Sequence, residues 1–410
     1  MIINDPVHGF IEIPKGILTD LVKHPTFVRL NRIEQLGPTS YVYPGGRHTR
    51  FSHSIGAFYL ISEALAVLQR KGCSITPAEA EGAKIAMLLH DIGHGPMSHT
   101  LEGCFVHGLT HEDMTLFLMQ QLDKEFGGAL QLAISIFTDT YPKHFLHELI
   151  CSQLDMDRLD YLCRDSFFAG VREGNIGAAR IIKMLNVNAD RLVVEQKGIY
   201  TIENYLMARR LMYWQVYLHK TALAAQEVLL AVLQRAIELI ARGQQLPASA
   251  TLHYFLYNNI NRAHIEAHPE ALANYILLDD SDLLSALKQW MQGPDKVLAI
   301  LAADYINRHL FRAQELPAPA TEAQLLALRA TMAEQLDISV DDARYFVRPL
   351  KVSQMLYSTS DDHITILMKD GTVRDISDFS ELLHSEMVDR RSERHYVFVQ
   401  RAKKTITKEE

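Results

Sequence analysis

Leu89-His90-Asp91-Ile92-Gly93-His94-Gly95-Pro96-Met97-Ser98-His99 sets three histidines and an aspartate among two glycines and a proline, just after an apolar run. Upstream, Thr76-Pro77 supplies an N-cap followed by proline at the first helical position. A helix is therefore predicted from there to about Asp91, where Gly93, Gly95 and Pro96 stop it. His90 and Asp91 then stand at a helix end. Neighbouring helical positions point about 100° apart, but at an end both side chains can lean past the last turn onto one ion. The last carbonyls of a helix carry partial negative charge, which favours a cation. The glycines allow a sharp turn and close backbone approach. A His-Asp pair alone arises by chance in many chains, whereas the full run HDIGHGPxSH is specific.

Working outward, Arg50-Phe51-Ser52-His53-Ser54 opens a preceding helix over 51–71, read from Ile55, Phe58, Tyr59, Ile61, Leu65 and Leu68 and closed by Gly72. His53 can thus reach a neighbouring helix end. Downstream, Asp155-Met156-Asp157-Arg158-Leu159-Asp160-Tyr161-Leu162-Cys163-Arg164-Asp165 places Asp157, Tyr161, Arg164 and Asp165 on one helical face. A polar stripe on an otherwise apolar helix points to a lined cavity; a salt-bridged surface helix is the plain alternative. His53, His90, Asp91 and Asp157 together would make an N2O2 site. Such a set suits one divalent ion, Mn, Fe, Ni, Zn or Mg. Four protein ligands on a six-coordinate ion leave room for water and a phosphate oxygen. The lack of cysteine ligands speaks against a structural zinc site.

The rest of the chain sets bounds. Its 410 residues suit one large domain or two to three smaller ones, and 48% hydrophobic with 22% charged residues is ordinary for a globular protein. A net charge of -8 argues against a nucleic-acid coat protein but is compatible with a small basic pocket for phosphates. Cys73, Cys104, Cys151 and Cys163 form no CxxC pair, so reduced thiols in a cytoplasmic protein are expected. MIINDPVHGF does not read as a signal peptide. No run of about 18 uninterrupted apolar residues is seen, so no membrane span is predicted. The odd count is nineteen histidines, many of them between His48 and His111.

The fold class expected is mainly α. Residues 1–50 read as turns and short elements. Further helices are predicted near 111–126, 144–166, 176–186, 201–241, 250–265, 269–275 and 280–303, with a short hairpin over 191–201. The proline-rich stretch 316–321 (LPAPAT) reads as a linker. Beyond it, 345–350, 363–368 and 396–399 are strand-like, and Lys369-Asp370-Gly371-Thr372 is a hairpin turn. The expectation is a helical body over 1–315 and a small α+β accessory lobe over 316–410, ending in a frayed tail, RAKKTITKEE.

H…HD…D with its flanks resembles the HD phosphohydrolases. The resemblance is nearest to the deoxynucleoside triphosphate triphosphohydrolase branch, which holds the vertebrate sterile-alpha-motif HD enzyme and bacterial dGTPase-like proteins. It is carried by NDPVHGFIEI (4–13), FVRLNRIEQLG (27–37), YPGGRHTRFSHSIG (43–56), LLHDIGHGPMSH (88–99), HE (111–112), LDMDRLDYLCRD (154–165) and YLHK (217–220). It implies that His53, His90, Asp91 and Asp157 are metal ligands. Arg50 matches an arginine on the triphosphate. His94, His99 and His111 match histidines around the α-phosphate and leaving oxygen, with His99 as general acid and Glu102 beside it. Gln35, Leu36 and Asp165 match groups lining the sugar, and Tyr217 the residue under the deoxyribose. Tyr161 matches a phosphate-side tyrosine and Arg209 a terminal-phosphate ligand. Arg158 stands where the vertebrate enzyme has a phosphate-binding lysine; the charge is kept but not the geometry. Lys23, Val28 and Asn31 replace the Asp, Gln and Arg that read guanine in that enzyme's activator pocket, although Ile2 and Asn4 match the start of its regulatory segment.

The resemblance therefore implies metal-dependent hydrolysis of a dNTP to deoxynucleoside and inorganic triphosphate. It also allows additional Mg on the triphosphate, a nucleotide activator and a homo-oligomer. Other readings stay open at this point: a nucleoside monophosphatase, a phosphodiesterase, an alarmone hydrolase, or a nucleotide sensor with little turnover. No basic stripe interleaved with aromatics supports nucleic-acid binding.

Overall fold

The computed structural model describes residues 1–355, 357, 363–380, 383 and 391–401. The chain is mainly helical, with a small α+β part near its C-terminal end. At its centre is the helix Arg50–Arg70, started by the Thr49 hydroxyl accepting from the Ser52 N–H. By length and composition this helix could cross a membrane, yet 67% of its apolar window is buried in the fold, so its hydrophobicity is used for packing. Helices Pro77–Leu89 and Met156–Ala169 pack on it. Thr76 and Glu79 form a reciprocal capping box at the start of the first of these, ahead of Pro77, as the Thr76-Pro77 signal predicts.

Four helices expected from the sequence are each divided: 250–265 is Ala250–Tyr257 and Arg262–Ala267, 280–303 is Asp280–Trp290 and Lys296–Ile306, and two more are split by identifiable contacts. The 144–166 stretch is His144–Glu148 and Met156–Ala169, because the Asp155 carboxylate accepts from the Ser152 and Arg158 N–H groups and caps a new helix. The 201–241 stretch is Ile199–Met212, a π-turn over Tyr213–Tyr217, and Lys220–Ala241. There the Leu218 N–H donates back to the Tyr213 carbonyl, and the extended His219 caps the next helix through Thr221.

Nine strands form three sheets among the described residues. β1 (Ile2–Asp5) and β2 (Gly9–Glu12) make an N-terminal hairpin. β3 (Leu185–Asn188) pairs with β4 (Arg191–Glu195) through a turn at Ala189-Asp190, both with positive φ. The hairpin predicted over 191–201 thus contributes one strand, its partner lies upstream, and 199 onward is helix. β5 (Arg312–Leu316), β6 (Val347–Met355) and β9 (Arg391–Val399) form an antiparallel sheet in the order β5-β9-β6. β7 (Thr365–Leu367) pairs in parallel with β4 and antiparallel with β8 (Val373–Asp375). Strand pairing therefore runs across residue 315. Of the tail expected to fray, residues 402–410 lie outside the described residues.

Candidate active site

The turn after His90-Asp91 is held from below. Arg29, fully buried, donates to the carbonyls of Ile92 and Leu278 and lies over the Tyr275 ring. The Tyr275 hydroxyl donates to the Gly93 carbonyl at 2.6 Å. Gly93 is needed for close approach: a Cβ there would sit 2.1 Å from the His111 carbonyl oxygen and 2.3 Å from the Thr115 nitrogen. The Thr115 hydroxyl accepts from the Gly93 N–H and donates to the His90 carbonyl. The helix His111–Glu125 is thereby seated directly on the turn.

The four residues expected to share a metal meet. His53 Nε2 lies 3.0 Å from Asp157 Oδ1, 3.3 Å from His90 Nε2 and 3.7 Å from Asp91 Oδ2. His90 Nε2 is 3.5 Å from both Asp91 Oδ1 and Asp157 Oδ1. Neighbouring ligand atoms about 2.1 Å from one ion lie about 3.0–3.4 Å from each other in octahedral or tetrahedral arrangement; the 3.0 and 3.3 Å spacings match this, and the 3.5–3.7 Å ones are slightly wider. Protonation makes the same point. His90 Nδ1 donates to the Met87 carbonyl at 2.7 Å, and His53 Nδ1 to Asp160 Oδ2 at 2.8 Å. Were both rings neutral, their bare Nε2 lone pairs would face each other and carboxylate oxygens, so the arrangement calls for a cation, either a metal ion or a proton on His53. Burial pushes the His53 imidazolium pKa down, but hydrogen bonds to Asp157 and Asp160 and the charge of Asp91 carry it up to about 10. The same negative potential attracts a metal ion.

Arg50 Nη1 lies 2.5 Å from Asp91 Oδ2, bringing a buried cation to the edge of the site. Burial opposes ionisation of Asp91, yet Arg50, His94 and His90 hold its carboxyl well below the usual range. Beside it stand the three other predicted histidines. His94 stacks on His111 at 4.0 Å between ring centroids, and His99 meets both rings edge-on at 5.0 and 5.1 Å. Glu102 joins His111 Nδ1 at 2.7 Å and His99 Nδ1 at 3.4 Å, and those bonds keep it well below the usual carboxylate range. His94 is buried, which with the Arg50 charge holds its pKa well below the usual histidine value. Its Nδ1 faces the Asp91 carboxylate at 3.1 Å, and its Nε2 has no hydrogen-bond partner among the described residues.

A cavity of about 340 Å³ opens beside this cluster, lined by Gln35, Leu36, Arg50, His99, Tyr161, Asp165 and Tyr217 among others. Asp165 accepts from the Tyr217 hydroxyl at 2.6 Å and meets His48 Nε2 at 2.7 Å. Arg158 and Arg209 are not among its lining residues. Arg158 binds the Ser152 carbonyl and the Asp155 carboxylate, and Arg209 donates to Gln153 Oε1. Arg164, read from the sequence on the cavity face, is buried against Asp160 and Asp5. Three further residues escape the sequence reading. His48 orients Asp165, Asp160 orients His53, and Asp280 accepts from the Glu34 and Met97 N–H groups, tying the Gln35 loop to the His94–His99 loop. Only His48 and Asp160 sit inside the quoted motifs, and nothing in those motifs marks their partners.

Comparison with known proteins bears on this arrangement. Residues 50–165 match the family model for the HD domain, and residues 176–254 the one for an HD-associated region. A phosphohydrolase from Bacteroides thetaiotaomicron, known from its crystal structure, is 52% identical, with a TM-score of 0.94 over 98% of this chain and all of that one (100%). The uncharacterised protein YwfO of Bacillus subtilis is 30% identical over 408 residues, 96% of this chain and 90% of its own. The human deoxynucleoside triphosphate triphosphohydrolase SAMHD1 is 29% identical over 263 residues; the match spans 53% of this chain and 42% of that enzyme.

Proposed function

The chain belongs to the HD-domain phosphohydrolases, and from that premise we propose that it hydrolyses 2′-deoxynucleoside 5′-triphosphates at the α-phosphorus, releasing deoxynucleoside and inorganic triphosphate. The observation that carries this reading is adjacency. The His53–His90–Asp91 cluster with Asp157 against its two histidines, the His94–His99–His111 group and the cavity lined by Gln35, Leu36, Asp165 and Tyr217 share Arg50 and His99 as common walls. A divalent cation at the first cluster would polarise a phosphoryl oxygen and make a bound water acidic.

The remaining work falls to side chains. Arg50 places a fixed charge where α-phosphate oxygens would lie. His94 Nε2, a buried bare acceptor, is suited to take a hydrogen bond from the attacking water. Water oxygen bonds to the α-phosphorus, the bond to the 5′-oxygen breaks, and His99 delivers a proton to that oxygen. Glu102, held ionised, orients the Nδ1 side of His99 and His111, while His111 Nε2 meets Glu112 Oε1 at 3.2 Å. In the cavity, the Asp165 carboxylate, fixed by His48 and Tyr217, is placed to accept from a sugar hydroxyl. Arg158 and Arg209 do not line the cavity, and to reach the terminal phosphates they would have to turn away from Asp155 and Gln153. Relatedness to SAMHD1 supports the triphosphate reading.

The test is to incubate metal-loaded protein with each dNTP, each NTP and the monophosphates, and to separate the products. Inorganic triphosphate from dNTPs alone is expected. Orthophosphate from monophosphates would move the activity to a nucleotidase, and no turnover of any substrate would leave a nucleotide sensor.

A further inference from the structure

Asp160 lies three residues after Asp157 on the same helix, fully buried and outside the ligand set. Besides His53 Nδ1, its carboxylate meets Arg164 Nε at 2.8 Å, Arg164 Nη2 at 3.0 Å and His8 Nε2 at 2.6 Å. Arg164, with no exposed surface, turns its other edge to Asp5 through Nη1–Oδ2 at 2.7 Å and Nη2–Oδ1 at 3.2 Å. Asp5 ends β1, and its Oδ1 also accepts from the Val7 and His8 N–H groups, shaping the turn that delivers His8. The whole network passes over Gly56, where a Cβ would lie 2.0 Å from Asp160 Oδ1 and 2.2 Å from Arg164 Nη2. One continuous polar path thus runs from the N-terminal hairpin to the outer nitrogen of a metal-site histidine.

We infer that the hairpin Ile2–Glu12 is a working part of the metal centre, and that its docking and the binding of a divalent cation are thermodynamically linked. Asp5, His8 and Arg164 act as positioning residues: they fix Asp160, which fixes the tautomer and direction of the His53 lone pair. Loss of such outer partners weakens metal affinity about 10–100-fold. An isolated two-stranded hairpin is marginal in water, and this one leaves Ile2 and Phe10 exposed. Its order depends on the inward contacts of Asp5, His8 and Ile11. Linkage is reciprocal, so a cation that orders His53 must also order the hairpin. The inference rests on the metal-site reading and not on the identity of the substrate.

The experiment uses the full chain and Mn²⁺ alone as probe. Mn²⁺ affinity is measured by competition with a chelating dye, and backbone amide exchange of residues 2–12 is followed with and without Mn²⁺. Wild type should show slower exchange of the hairpin with metal. His8→Ala and Asp5→Asn should bind Mn²⁺ about 10-fold or more weakly and lose that metal-dependent protection. Should either variant fail to fold, the wild-type exchange comparison decides alone. Mn²⁺ binding with an indifferent hairpin overturns this inference only. No Mn²⁺ binding by wild type overturns the metal reading and the inference with it.

Discussion

Gly93→Ala is the sharpest probe of how the site is assembled. The added Cβ would meet backbone at 2.1 and 2.3 Å and the Thr115 hydroxyl at 2.6 Å, where ordinary contact begins at 3.4 Å. No rotamer change relieves a clash with backbone, so the first turn of helix His111–Glu125 must retreat by roughly 1 Å. Overpacking of this kind costs about 1–3 kcal/mol. The two hydrogen bonds through Thr115, at 3.0 and 2.9 Å, would be stretched or lost at about 1 kcal/mol each. The total is about 3–5 kcal/mol, or roughly 3–6 °C in Tm for a chain of 410 residues. The retreat also carries His111 off His94, and a 1 Å misplacement at a reacting centre can lower turnover about 100-fold. Mn²⁺ affinity should change little, because His90 and Asp91 precede the glycine. Thermal unfolding and triphosphate release are the assays. Gly95→Ala is the control: its Cβ meets only the Tyr275 hydroxyl, at 3.3 Å, and should cost under about 1 kcal/mol. Wild-type Tm and turnover in Gly93→Ala, or an equal loss in Gly95→Ala, would refute the seating of the histidine helix on the turn.

Other outcomes follow from the same geometry. His99→Ala should lower kcat about 10²–10⁴-fold if His99 is the general acid; near-normal turnover removes that role. Asp280→Ala strands the N–H groups of Glu34 and Met97, so it should cost about 2–4 kcal/mol and raise KM while Mn²⁺ affinity holds; unchanged KM would separate Asp280 from the cavity. Glu79 gives a pH signature. Burial would raise its pKa, but hydrogen bonds from Lys143, the Thr76 N–H and Tyr141 bring it from 4.5 down to about 2. A lowered folded-state value means stability that is present above the unfolded pKa and lost as pH falls from about 4.5 towards 2. The Tm gap between wild type and Glu79→Gln should be widest near pH 7 and close towards pH 2–3; a gap independent of pH argues against the ionised network.

What was legible in the sequence was local. His90-Asp91 at a helix end, His53 near the start of its helix and Asp157 on the downstream helix could each be placed from caps, breakers and periodicity. What was not legible depends on contacts across long separations. His48 and Asp165 are 117 residues apart and His53 and Asp160 are 107 apart, and neither pair leaves a mark on local pattern. Arg164 read as a cavity residue because helical spacing carries no information about which neighbour is charged. The π-turn at Tyr213–Tyr217 lacks glycine and proline, so the periodic pattern ran through it. The register of β4 with β7 joins Val194 to Ile366, a pairing that no turn signal announces.

That last pairing has a practical side. A protein shortened at residue 315 would keep β4 while losing β7, and would truncate β5 while losing its partner β9 and, beyond that, β6. The bared edge of β4, with buried Val193 and Val194 now wetted, is a template for strand addition from another molecule. Preparations of the helical part alone should therefore aggregate in proportion to concentration, and limited proteolysis near the 316–321 linker should yield fragments that stay together rather than two separable pieces.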